Sequence, residues 1–190
     1  MTMPKHSVVA VKTAVGPTIM LRSGAILDFL DPWSSEFTID DIAHGLSLIC
    51  RYSGQCDRFY SVAEHCVHVS EVAKDHAYAA LMHDAAEAFV GDVTRPLKQL
   101  LPAYKAIESD VEIAICNRFY VPYPIPDAVK KADLRVLAAE QAQIMPAGAD
   151  GWAQAAGVIP AEITVKSYPP SEAKAIFLQR FERLRGAQGN

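Results

Sequence analysis

The chain has 190 residues, 51% of them hydrophobic and 21% charged, with a formal net charge of −4. That length suits one domain with a sizeable core and leaves little room for two. The acidic balance gives no electrostatic case for duplex nucleic acid or an anionic membrane as the main partner.

No apolar run approaches the roughly 20 residues that span a bilayer. Residues 1–12 carry Lys5 and Lys12 but lack the apolar stretch of roughly 7–15 residues that marks a signal peptide. Cys50, Cys56, Cys66 and Cys116 form no CxxC pair. Two of the four fall in apolar helical stretches, where a free thiol acts as a small buried hydrophobe. A reducing cytoplasm is the expected compartment.

In chain order, residues 16–30 read as a hairpin. Thr18-Ile19-Met20-Leu21 and Ala25-Ile26-Leu27-Asp28-Phe29 flank the turn-forming pair Ser23-Gly24. From Thr38 the period becomes helical: Ile39, Ile42, Ala43, Leu46 and Ile49 recur on one face, and Thr38 with Asp41 forms a capping pair. Ser61-Val62-Ala63-Glu64 is a capping-box pattern that opens a second helix. A third, Ala-rich helix is predicted over residues 77–89, ending at Gly91. Pro96 and Pro102 bound a short segment, and residues 104–119 read as a long amphipathic helix. After a loop with Pro122, Pro124 and Pro126 comes a helix over residues 127–144, then a small-residue loop over 148–157. Glu162-Ile163-Thr164-Val165 is expected as a strand that joins the hairpin, and a terminal helix is expected over 171–185. The fold class is mainly α, in one domain with its core over residues 38–145.

His83, Asp84 and Glu87 crowd one side of an otherwise apolar predicted helix. Unpaired buried charge is costly, and a divalent cation is the simplest partner; the alternative is a solvated helix face. Antiparallel packing across Lys74-Asp75-His76 would leave His65 and His83 offset by around one helical turn, so His65 reaches the same point. His68, three residues on, is expected to face that groove or to pack beside it. His44 reads as a core or surface histidine, while His6 and His76 receive no role. Asp133 interrupts the apolar Ala132, Val136 and Leu137, with a metal, Arg135 or Lys130 as its candidate partner. Trp33, Tyr52, Phe59 and Tyr60 are candidates for stacking on a base as well as for the core.

Four segments in this order carry a resemblance. Ser61-Val62-Ala63-Glu64-His65, His83-Asp84-Ala85-Ala86-Glu87, Gly91-Asp92-Val93-Thr94-Arg95-Pro96-Leu97-Lys98 and Lys131-Ala132-Asp133 resemble the HD-domain superfamily of metal-dependent phosphohydrolases, whose pattern is H…HD…D. More narrowly they resemble the bacterial 5′-deoxynucleotidases, with phage deoxynucleoside triphosphohydrolases also similar. The resemblance implies a single HD-domain helical bundle in which His65, His83, Asp84 and Asp133 ligate one divalent metal. It further implies that Glu87 handles protons, that Asp92 lies near the sugar and the reacting water, and that Arg51 and Lys98 bind phosphate. Tyr52 stands where the family has a Trp, and the spacing from Arg51 to His65 departs by a residue.

Two imidazoles and two carboxylates suit Mn²⁺, Co²⁺, Ni²⁺, Zn²⁺ or Fe²⁺ better than Mg²⁺. The implied activity is phosphate hydrolysis on a (deoxy)nucleotide by a homodimer or larger assembly. The alternatives are a nucleotide-sensing module without turnover and a cyclic-nucleotide phosphodiesterase. Neither a G-x-S-x-G nor a P-loop occurs.

Overall fold

Helices dominate the computed structural model, which describes residues 16–188. The readings of residues 1–12 and His6 lie outside these residues. Strands β1 (Thr18–Met20) and β2 (Ile26–Asp28) pair antiparallel with Ile19 opposite Leu27. The Ser23 amide donates to Asp41 Oδ1 at 2.9 Å, which pins the hairpin turn to the start of α1 (Ile39–Leu48). Asp41 Oδ2 also accepts the Thr38 amide at 3.0 Å while Thr38 Oγ1 accepts the Asp41 amide at 3.2 Å, the full reciprocal cap.

Helix α2 (Val62–Val72) lies at the centre, packed against α1, α3 (Ala77–Met82), α7 (Asp127–Ile144) and α9 (Pro170–Gln188). Val62, Ala63, Cys66 and Val69 enter one apolar cluster with Ile42, Leu46, Leu81, Val136, Phe177 and Phe181. Only half of the capping box expected at Ser61 forms. The Glu64 amide donates to Ser61 Oγ at 3.1 Å. The Glu64 carboxylate instead accepts the amides of Lys166, Ser167 and Tyr168 at 2.7, 3.1 and 2.9 Å.

The continuous helix expected over 77–89 is broken. Helix α3 ends at Met82, His83 to Ala86 turn tightly, and α4 (Glu87–Val90) resumes. The Ala85 amide donates to Met82 O and the Glu87 amide to Asp84 O. Such i to i−3 bonding brings residues three apart into line, so Asp84 and Glu87 share a side. Helix α1 packs against α4, and Gly45 makes that approach possible: a Cβ there would stand 2.7 Å from the Ala88 carbonyl oxygen.

The segment between Pro96 and Pro102 opens with a short helix, α5 (Arg95–Lys98), before α6 (Pro102–Phe119). The loop over 148–157 contains α8 (Gly151–Ala155). The strand expected at residues 162–165 is absent from the sheet, which holds β1 and β2 alone among the described residues. Its backbone is satisfied elsewhere: the Val165 amide donates to Gln143 Oε1 at 3.0 Å, and the next three go to Glu64. No helix among the described residues is long and apolar enough to cross a membrane.

Candidate metal centre

Three elements bring the ligand set together: α2 supplies His65, the tight turn after α3 supplies His83 and Asp84, and α7 supplies Asp133. His65 Nε2 lies 3.5 Å from Asp84 Oδ2 and 3.2 Å from Asp133 Oδ1; His83 Nε2 lies 3.2 Å and 4.0 Å from the same two oxygens. Donors around a first-row ion bonded at roughly 2.1 Å stand roughly 3.0–3.4 Å apart when adjacent and about 4.2 Å when opposite. His65, His83 and Asp133 come close enough together to hold one cation, with Asp84 beside both imidazoles. Neither Arg135 nor Lys130 pairs with Asp133 within 4.0 Å; Arg135 Nε donates to Ile159 O instead.

The ring orientations point the same way. His83 Nδ1 sits 2.8 Å from the Ala80 carbonyl oxygen, which only accepts, so Nδ1 carries the proton. Nε2 of both rings is buried without a hydrogen bond and aimed at the carboxylates. A neutral imidazole would there set a lone pair against an anion, an arrangement that needs a proton or a metal between them. Burial and then Arg51 push the bare His65 imidazole down, but Glu140 and Asp133 outweigh both and raise it to about 9. The carboxylates that favour a proton on His65 would favour a metal cation at the same place.

Glu140, on α7 and fully buried, is the residue that sequence reasoning missed. Its Oε1 lies 2.6 Å from His65 Nδ1 and accepts the Tyr60 hydroxyl at 2.6 Å. Its Oε2 accepts the Tyr52 hydroxyl at 2.8 Å and faces Arg51 Nη2 at 3.3 Å. Burial opposes the charge on Glu140, but Arg51 and His65 hold its pKa far below the usual carboxylate range. The signal was present in the sequence: Glu140 stands seven residues after Asp133, two turns along one helix face.

A cleft of about 420 Å³ opens beside the ligand set. Arg51, Tyr52, Glu87, Asp92 and Lys98 all line it with Asp84 and Asp133, so every expected substrate or proton-transfer residue reaches one space. Arg51 is buried, its Nε has no hydrogen-bond partner, and its Nη1 lies 3.8 Å from Asp84. Tyr52 has its hydroxyl committed to Glu140 and its ring 5.3 Å from the Arg51 guanidinium carbon, so it braces Arg51. Glu87 is buried with Oε2 unpartnered; burial first, then Asp84 and Asp92, push its pKa well up. Asp92 is also raised, by burial and by Asp84 against the opposing pull of Arg51. Lys98 Nζ donates to Glu108 at 2.7 Å and stands 3.9 Å from Glu87.

The alternatives left open for other residues are decided. His68 does not face this groove. It lies 3.6 Å from Glu64 and 3.7 Å from Glu71, and it lines a separate, larger cavity of about 710 Å³ that holds none of the ligand residues. Tyr60 is fully buried and bonded to Glu140, so it is not free to stack on a base. Cys66 also comes near His83 and Asp84, in a second grouping that could hold a metal, and burial and then the charges of Asp84 and Glu87 push its thiol pKa well up.

The sequence is 38% identical over 151 residues to the uncharacterized protein YfdR of Escherichia coli, covering 78% of this chain and 85% of YfdR. It is 34% identical over 183 residues to the uncharacterized protein RCAP_rcc00048 of Rhodobacter capsulatus, covering 86% of this chain and 93% of that protein. No protein-family model matches the sequence.

Proposed function

The chain belongs to the YfdR family, and we propose that it acts there as a divalent-metal-dependent phosphohydrolase of the HD type on (deoxy)nucleotides. The observation that carries this reading is the meeting of His65, His83, Asp84 and Asp133 with both Nε2 atoms unbonded and aimed inward. The donor set of two imidazoles and two carboxylates favours a transition metal, namely Mn²⁺, Co²⁺, Ni²⁺, Zn²⁺ or Fe²⁺. When bound, such an ion supplies Lewis acidity and a water of lowered pKa.

The remaining chemistry belongs to the chain. Arg51, held from behind by Glu140 and Tyr52, turns its fork toward the cleft where a phosphate oxygen would sit. Glu87 keeps its proton because it is buried beside Asp84 and Asp92, which suits it to protonate the leaving oxygen of the nucleoside. Asp92 faces the same space and orients the sugar or the attacking water, and Lys98 adds positive charge at the phosphate end. Pro96, Leu134 and Leu137 offer an apolar wall to the base. Exposed Met20, Leu30 and Trp33 around the hairpin support a homodimer or larger assembly.

The test is phosphate release from a nucleotide panel by metal-stripped protein reloaded with Mn²⁺ or Co²⁺. Asp84→Ala should abolish release, and full activity in that variant would refute the reading. Chromatography of the products separates monophosphate from triphosphate release. Thermal stabilisation by a nucleotide without turnover under any metal would favour a sensing module instead.

A further inference from the structure

We propose that Cys50 and Cys56 are a reversible covalent modification site, a dithiol whose oxidation to a disulfide clamps the loop that carries Arg51. Their sulfurs lie 3.6 Å apart, and both residues are free and partly accessible, whereas Cys66 and Cys116 are buried. Between the pair run Arg51 and Tyr52 of the cleft, followed by Ser53, Gly54 and Gln55.

That loop is the place where a clamp has something to hold. Tyr52, Ser53 and Gly54 are all left-handed, with φ of 57°, 51° and 74°. Non-glycine residues in that region persist only where the surroundings fix them. One end is already fixed, because Cys50 bridges to Ser61 and the Arg51 amide donates to Tyr60 O at 2.9 Å. The other end is tied by the Asp57 amide to Ile144 O at 2.9 Å, and Cys56 Sγ itself makes only contacts to Arg58 O at 3.1 Å and Arg51 O at 3.7 Å. A disulfide would draw the sulfurs together to about 2.05 Å and exchange those contacts for a covalent tie.

The oxidant is a low-molecular-weight disulfide such as oxidised glutathione. One cysteine thiolate attacks a glutathione sulfur and releases one glutathione thiolate. The second cysteine thiolate then attacks the protein sulfur of the mixed disulfide and releases the other. The two cysteine protons pass to the two departing thiolates, and the two electrons end on glutathione. Burial, followed by the bond to Cys50, raises the Cys56 thiol above its ordinary value, so exchange quickens as pH rises.

The test equilibrates the purified full chain with glutathione buffers of graded ratio, then traps thiols and maps peptides by mass spectrometry. The expected product is about 2 Da lighter than the dithiol, linked between positions 50 and 56 and reversed by dithiothreitol. Cys56→Ser should not form it. Amide hydrogen exchange over residues 51–55 should slow several-fold in the oxidised wild type and not in Cys56→Ser. Glutathione adducts without the internal link, or a link that leaves exchange over 51–55 unchanged, would overturn the proposal. Neither readout needs turnover, so a protein that hydrolyses no nucleotide sinks the proposed function without touching this result. Where it does hydrolyse, KM should shift several-fold on oxidation with kcat less affected, since Arg51 holds the phosphate under that reading.

Discussion

Glu140 Oε1 lies 2.6 Å from Nδ1 of His65, so a buried carboxylate grips from behind the imidazole whose other nitrogen faces Asp84 and Asp133. The same side chain takes both tyrosine hydroxyls and faces Arg51. Glu140→Ala would strand all of these groups, and breaking a buried pair of this kind costs about 3–5 kcal/mol. Carboxylates behind metal-bound histidines are worth roughly 10–100-fold in metal affinity. We expect chemical denaturation to show the first loss and metal titration the second, with Glu140→Gln intermediate in both. Wild-type stability in Glu140→Ala would contradict the burial argument.

A metal held here would compete with a proton for His65. With His65 raised to about 9, the metal competes with protonation below that pH and is freed from competition above it. Apparent affinity for Mn²⁺ or Co²⁺ should rise as pH goes from 6 to 9, by up to roughly tenfold per unit, as isothermal titration would record. Bound ion should also raise Tm by mass action, and Asp133→Asn should lose that rise. A flat pH profile would rule out the displaced proton.

Gly45 faces a carbonyl rather than a flexible neighbour, since its Cβ would stand 2.7 Å from Ala88 O and 2.9 Å from Ala88 Cβ. Gly45→Ala therefore forces α1 and α4 apart. Overpacking of this sort costs about 1–3 kcal/mol, visible as a lower denaturation midpoint. Because α4 begins at Glu87, the proposed hydrolysis should fall along with stability.

Asp41 supplies a test by pH. Burial works against its charge, but hydrogen bonds from Thr38 and Ser23 win and lower its pKa below the ordinary 3.8. The stability it adds is complete above 3.8 and is lost as pH falls through the lower folded value. Asp41→Asn should cost about 1 kcal/mol at neutral pH, as losing a helix cap does, and the difference from wild type should shrink in acid. An unchanged difference down to the acid transition would refute this assignment.

Local chemistry made part of this architecture legible. Thr38 and Ser61 announce helix starts because a hydroxyl followed by an acid three residues on satisfies amides that no helix can satisfy alone. His65, His83, Asp84 and Asp133 stand out because ionisable groups interrupt apolar runs. The break after Met82 was hidden, since an Ala-rich run favours unbroken helix and the turn there is set by packing against other elements. Val165 and its neighbours look like a strand, yet their amides go to the side chains of Gln143 and Glu64. Glu140 was overlooked because its partners Tyr52, Tyr60 and His65 lie 75 to 88 positions away.

Glu64 receives three consecutive amides from residues more than a hundred positions later. As the chain leaves the ribosome, the helix bearing His65 therefore emerges long before the backbone that neutralises its first turn. Until Tyr168 has been made, that glutamate must stay hydrated, and the helix cannot settle fully into the interior. Stalled or truncated products that stop before this point would be open, protease-sensitive chains.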